Sequence, residues 1–348
     1  MFDCNDDVVA YHDEKTTLPQ ADRTAMRDRR NANRERLKSR LQDKGKPKPQ
    51  EFIKQGSYAM LTMVQDSEND YDIDDGVYFT EVSLRDANGN CMSPKDVRQM
   101  VCDALQDDRF SKQPEPRSTC VRIHYNEGYH VDMPIYRVRE SDGEYELAMG
   151  DSWNISRAAD VEDWFNDFNR ENSPDKENGR QFRRITRLSK KFARSRSAWK
   201  ADIAPGFTIT KLGTESYASD ADRDDVALRN TMQKMHDRLV FNLEVQHPIT
   251  PNTKLTKGWD DSGTKYLRSK LADALKELKV LDESSCTRKK ALAAWDKVFN
   301  TDFFSQRDAA KANSASAYSA APTVIVNPAK PWNEPRVISN PPRPWSQS

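Results

Sequence analysis

Asp72 and Asp74 lie in Tyr71-Asp72-Ile73-Asp74-Asp75-Gly76, and Asp132 lies in His130-Val131-Asp132-Met133-Pro134. Carboxylates are hard oxygen donors, suited to Mg²⁺ or Mn²⁺. Upstream stands Gln55-Gly56-Ser57. A Gly-Ser turn, an Asp-x-Asp strand and a lone Asp on a later strand are what a two-metal nucleotide-transfer site needs. The turn holds a triphosphate, and the three carboxylates hold two divalent ions.

The spacing carries part of this reading. Side chains alternate along a strand, so Asp72 and Asp74 share one face while Ile73 and Asp75 take the other. Alone, the string also fits loose aspartates at the end of a surface strand. Residues 118–125 and 129–138 read as two strands about Asn126-Glu127-Gly128. That hairpin sets Arg122 opposite Asp132, within about 5 Å at Cβ. The pair fits a phosphate-binding position and an ordinary Arg–Asp surface pair equally. Gly56 lets backbone N–H groups approach a phosphate, Ser57 adds a hydroxyl, and 58–71 reads as one helix leading to the Asp-x-Asp strand.

Lys190 and Lys191 flank a stripe of Ile185, Leu188 and Phe192. Most basic residues there read as a solvated face, with one lysine placed to reach a triphosphate. His124 and His130 face each other across the hairpin near Cys120, either as a metal site or as a pair at the core edge. No Ser-His-Asp set, Cys-His dyad or Gly-x-x-x-x-Gly-Lys loop is readable.

These residues need an α/β frame. Residues 13–45 read as one long, mostly solvated helix, entered at Thr17-Leu18-Pro19 and left at Gly45-Lys46-Pro47. Residues 71–80 alternate as a strand, 86–90 form a turn, and 93–105 form a helix with Ser93 as cap and Pro94 at its first position. Helical spacing recurs over 160–169, 179–193, 222–243, 265–281 and 285–299. Residues 207–210 and 247–251 read as connections between those helices. From about Gln306 the chain turns small, polar and Pro-rich, as in an extended or disordered arm. The division is 1–157, a helix with a catalytic lobe; 158–304, a helical lobe closing the cleft; and 305–348, the tail.

Composition narrows the class. The 348 residues are 32% charged with formal net charge zero, which favours small-molecule substrates over long nucleic acid. Seven Trp, eleven Tyr and thirteen Phe can anchor a core. Five scattered cysteines without a Cys-x-x-Cys pair read as reduced thiols in a cytoplasmic protein. No apolar run is long enough to span a membrane, and the acidic start lacks a signal-peptide pattern.

Taken together, these residues resemble the CD-NTase family of bacterial cyclic-oligonucleotide synthases, in particular its cyclic GMP-AMP synthase type. The resemblance rests on Gln55-Gly56-Ser57, the stretch from Asp72 to Tyr78, the stretch from His130 to Tyr136, Gly150-Asp151-Ser152-Trp153, and Val161-Glu162-Asp163-Trp164-Phe165-Asn166-Asp167. It spans roughly residues 50–300 and implies a polymerase-β-like lobe with a mixed sheet, a helical second lobe and a long N-terminal spine helix. It implies two Mg²⁺ or Mn²⁺ ions per site, held by Asp72, Asp74 and Asp132, with Asp132 also helping to deprotonate an attacking 3′-hydroxyl. It implies nucleotide binding by Gln55, Gly56, Ser57, Arg122, Lys190 and Thr208, where Thr208 stands in for a serine common near Phe207.

Met60 replaces an aromatic residue beside a base, and the zinc-binding insertion of the animal DNA sensor is missing. The resemblance further implies ribonucleoside triphosphate substrates, ATP among them. The resemblance implies that no DNA or membrane would be required, that regulatory partners would be defence-system proteins, and that the product would be a second messenger of antiphage defence. Two other readings stand beside it. One is a nucleotidyltransferase that makes linear oligonucleotides or modifies a protein or RNA. The other is a non-catalytic nucleotide-binding partner.

Overall fold

The computed structural model describes residues 1–66, 71–86, 88–250 and 252–308. The Pro-rich tail expected over 305–348 lies outside these residues beyond position 308. The chain opens with α1 (Asn5–Tyr11), a π-helical turn (His12–Thr16) and α2 (Gln20–Asp43). Then come β1 (Glu51–Gln55), α3 (Gly56–Ala59), β2 (Asp72–Thr80), α4 (Pro94–Leu105) and β3 (Glu115–Pro116). The remaining strands are β4 (Cys120–His124), β5 (His130–Val138), β6 (Tyr145–Met149) and β7 (Ser152–Ile155). Among the described residues, the α-helices that follow are α5 (Ala158–Asn172), α6 (Gln181–Ala193), α7 (Gly206–Ser216), α8 (Asp224–Phe241), α9 (Ser262–Leu278) and α10 (Arg288–Phe299).

The described strands form one mixed sheet in the order β1-β2-β5-β4-β3, with β6 on β5 and β7 on β6. Only β2 and β5 run parallel; the other ladders are antiparallel. β5 holds the centre, paired with β2, β4 and β6, and beside it β2 fully buries Ile73, Val77, Tyr78 and Phe79. α4 covers the sheet with Val97, Val101, Ala104 and Leu105. It starts as its sequence dictates: the Ser93 hydroxyl accepts the Asp96 N–H at 3.1 Å, and Pro94 needs no hydrogen-bond partner for its nitrogen.

The long helix α2 buries Met26, Leu37 and Leu41, as their sparse spacing requires. Its arginines are less free than a solvated face would allow. Arg34 donates to Asp75 at 2.7 Å, Arg36 donates to Asp107 at 2.9 Å, and the Arg29 guanidinium lies 5.3 Å from the Tyr125 ring.

A second apolar core joins α6, α7, α8, α9 and α10, with Trp295, Phe192 and Leu212 at its interior. Cys4, Val8 and Tyr11 pack into this helical core, while the buried residues of α2 pack with the sheet. A third cluster of Met60, Val161, Phe165 and Phe182 sits beside the cleft.

Two sequence expectations fail here. The helix expected over 58–71 is not formed by residues 60–66, the described stretch directly beyond Ala59. Helical backbone ends at Ala59, Leu61 adopts a left-handed φ of 55°, and the carbonyls of Met60, Leu61, Thr62 and Gln65 accept from α6 side chains. Those cations take up acceptors that a helix would have satisfied internally. Residues 207–210 are not a connection but the first turns of α7, whose Ile209 and Leu212 bury into the helical core.

Candidate active site

Register brings the carboxylates together. Asp72 pairs with His130 and Asp74 with Asp132 across the parallel β2–β5 ladder. On the other side of β5, Arg122 pairs with Asp132 and His124 with His130. Asp72 is exposed, Asp74 intermediate, and Asp75 points the other way into its bond with Arg34. The strand alternation read from sequence therefore holds residue by residue.

Arg122 grips Asp132 with two hydrogen bonds, Nε to Oδ1 at 2.7 Å and Nη2 to Oδ2 at 2.6 Å, and its Nη2 lies 3.7 Å from Asp72. His130 Nε2 is 3.3 Å from Asp72, and the His124 and His130 rings stack at 5.5 Å. His124 turns away to Glu115 at 3.0 Å. The two histidines thus form an edge pair and share no ligand-like focus.

Burial, then the charges of Asp132 and Asp72, push the Asp74 carboxyl up to about 7. A divalent cation would remove the last two causes. The donor set is all oxygen and self-repelling, which fits Mg²⁺ or Mn²⁺ in kind. No three His, Cys, Asp or Glu side chains among the described residues converge on one cation position in this geometry. Both carboxylate oxygens of Asp132 accept from Arg122.

The cleft beside the carboxylates has a volume of 370 Å³. Gln55, Gly56 and Ser57 line it. Gly56 has φ +63°, and a Cβ there would overlap Asp74 Oδ2, so the turn and the carboxylate fit only through glycine. The amide of Gln55 is spent beneath the turn: Nε2 donates to the Tyr78 hydroxyl at 2.7 Å, and Oε1 accepts from the Tyr136 hydroxyl at 3.1 Å. Gln55 is 4% exposed, so its side chain supports the turn.

Lys190 also lines the cleft. It is buried and donates from Nζ to the Thr62 carbonyl at 2.8 Å. Burial, then Arg194 and Arg187, push its ammonium down to about 7. Thr208 is placed elsewhere: it is buried at 2% exposed, and α7 presents Phe207 and Thr210 to the cleft instead. Residues at i−1 and i+2 line the wall because a helical turn carries residue i to another face. Sequence reading missed Thr210 because 207–210 was read as a connection. It missed Arg194, another cleft residue, although Arg194 follows Lys190 by four positions on α6.

No helix among the described residues is long and apolar enough to cross a membrane. Residues 50–136 match the family model described as cyclic GMP-AMP synthase DncV-like, nucleotidyltransferase domain. A cyclic GMP-AMP synthase of Escherichia albertii is 30% identical over 128 residues, covering 35% of this chain and 28% of that protein. The chain therefore matches well under half the length of this curated relative.

Among solved structures, the Vibrio cholerae di-nucleotide cyclase DncV in complex with ATP and GTP is similar with a TM-score of 0.68 at 17% identity, covering 82% of this chain and 92% of that one. E. coli CdnC with ATP has a TM-score of 0.64 at 17% identity, covering 86% and 98%. These similarities establish a polymerase-β-like nucleotidyltransferase fold.

Proposed function

We propose that this chain, whose residues 50–136 match a cyclic GMP-AMP synthase DncV-like nucleotidyltransferase domain, is a CD-NTase that joins ribonucleoside triphosphates into a cyclic oligonucleotide. The supporting observation is the register of Asp72, Asp74 and Asp132 on adjacent strands, beside a glycine turn that closes on Asp74. The 3′-oxygen of one nucleotide attacks the α-phosphorus of a second. The bond to the β-phosphate breaks, pyrophosphate leaves, and the hydroxyl proton passes to Asp132. A second transfer of the same kind closes the ring.

Asp72, Asp74 and Asp132 would hold Mg²⁺ or Mn²⁺, two ions per site, supplying charge neutralisation at the phosphate and acidity at the hydroxyl. Ser57 offers a hydroxyl donor to the triphosphate. Arg122 exchanges Asp132 for phosphate oxygens, which suit its planar fork. Lys190 supplies a cation that the arriving phosphates keep protonated. Gln55 holds the turn from below. The neutral chain and its unpaired cysteines suit a cytoplasmic enzyme acting on small nucleotides. Its product would serve as a second messenger in antiphage defence, with defence-system proteins as regulators and without DNA or membrane.

The test uses the purified full chain with Mg²⁺ or Mn²⁺ and each ribonucleotide labelled in turn, followed by phosphatase and mass spectrometry. A phosphatase-resistant cyclic product is expected. Only linear or macromolecule-linked label would overturn ring closure. No turnover and no nucleotide binding would overturn the enzyme reading.

A further inference from the structure

His247 lies in the segment between α8 and α9, and its ring is fixed from two sides. Nδ1 accepts the backbone N–H groups of Ile249 at 3.2 Å and Thr250 at 2.9 Å. The ring meets Phe207 of α7 edge-on, with centroids 5.6 Å apart and planes at 70°. Ile249, which supplies one of those N–H groups, packs against the cluster of Met60, Val161, Phe165 and Phe182. The imidazole is therefore anchored beside the cleft through its own turn.

These bonds decide the tautomer. A backbone N–H only donates, so Nδ1 must present its lone pair and the ring proton lies on Nε2. Burial also lowers the pKa of the imidazole, which keeps the ring neutral at pH 7. Among the described residues Nε2 makes no hydrogen bond. His247 lines the 370 Å³ cleft. With Nδ1 turned into the loop, the polar atom left to meet a ligand is a single donor.

The wall around that donor is apolar. Met60 and Val161 line the cleft, and Phe207, which lines it too, packs against their cluster. The carboxylates stand on the sheet, on β2 and β5. An apolar wall with one fixed donor at its edge suits a flat ring that carries an acceptor on its rim. In a nucleotide that ring is the base.

We propose that His247 reads the base of one of the joined nucleotides, donating from Nε2 to a keto oxygen and so favouring guanine or uracil over adenine or cytosine. This rests on the nucleotidyltransferase reading above and names a base class for it. Guanine O6 and uracil O4 accept where adenine and cytosine carry amino donors. An amino group brought to the same place would set two donors against each other and leave both unpaired. His247 is a specificity residue in this assignment and takes no part in bond making.

The experiment compares full-length wild type, His247→Asn and His247→Gln. The amide oxygen of Asn can accept the same two N–H groups, as in an Asx turn, but Asn does not reach the place of Nε2. The longer Gln can return a donor there and leaves the N–H groups without their acceptor. Binding of the α,β-methylene analogues of GTP, ATP, UTP and CTP is measured by calorimetry with Mg²⁺, and melting temperature is measured without ligand. Wild type should prefer the GTP analogue to that of ATP and the UTP analogue to that of CTP. His247→Asn should shrink both preferences by about 3- to 10-fold, the share of one hydrogen bond, at an unchanged melting temperature. His247→Gln should melt lower and keep more of the preference.

A wild type that prefers the amino bases or shows no base preference, or an Asn variant with the wild-type preference, would overturn the assignment. Equal weakening of all four analogues by His247→Asn, with a lower melting temperature, would also overturn it and make His247 a structural residue of its turn. If wild type binds none of the four, the nucleotidyltransferase reading falls and this one with it.

Discussion

Arg122 and Asp132 sit opposite each other on β4 and β5, and the arginine takes both carboxylate oxygens while its Nη2 lies 3.7 Å from Asp72. One guanidinium therefore stands where two of the three carboxylates would address a cation. Arg122→Ala is expected to have opposite effects on two ligands. Mn²⁺ affinity without nucleotide, read by electron paramagnetic resonance, should rise as Asp132 is released. Nucleotide use should fall by roughly 100-fold in kcat/KM, as a lost bidentate phosphate contact would do. His124→Ala, whose partner is Glu115, should change nucleotide use by less than about threefold. Equal effects of the two substitutions would remove Arg122 from the phosphate role.

Asp74→Asn should abolish synthesis while stabilising the metal-free protein. The wild-type carboxyl is raised from 3.8 to about 7 by burial and by Asp132 and Asp72. Between those values the native state binds more protons than the unfolded chain, so stability falls as pH rises through the window and the loss is complete above about 7. Urea unfolding in EDTA at pH 4 and pH 8 checks this. The variant should lack the Asp74 part of that decline and should gain most at pH 8. A variant less stable than wild type at pH 8 would contradict the electrostatic account.

Gly56→Ala places a methyl group on Asp74 Oδ2 at a backbone φ of +63°. The strain and the displaced carboxylate should lower turnover by at least about 100-fold, because placement errors near 1 Å already cost that much. Ser57→Ala removes only a hydroxyl and should act mainly through KM. Circular dichroism should show the fold retained in both. Near-wild-type turnover in Gly56→Ala would mean that the turn and the carboxylate do not meet in the working enzyme.

Asp75 is fully buried and pairs with Arg34 of α2, which is 21% exposed on its side chain. Arg34→Ala strands a buried carboxylate and should cost about 3–5 kcal/mol in chemical denaturation. Asp75→Asn should cost less, since it removes the charge together with its need for a partner. Metal binding at Asp72 and Asp74 should survive Asp75→Asn. If Arg34→Ala left stability unchanged, the long helix would not be anchored through this pair.

Much of the site follows from strand alternation and turn chemistry, which act over a few residues. The sharing of a face by Asp72 and Asp74, the exclusion of Asp75, the Arg122–Asp132 register and the Ser93 cap could all be read in the chain because each depends on a local repeat. What the chain alone could not decide depends on partners distant in sequence. Residues 60–65 abandon the helix their composition suggests because Arg183, Arg187, Lys190 and Lys191, more than 120 positions away, take up their carbonyls. Thr208 turns inward and Thr210 lines the cleft because α7 must bury Ile209 and Leu212 in the helical core. The role of Gln55 beneath the turn required Tyr78 and Tyr136 to stack beside it at 4.5 Å. Local periodicity determined which side chains share a face; packing between distant segments decided which of them meet the cleft.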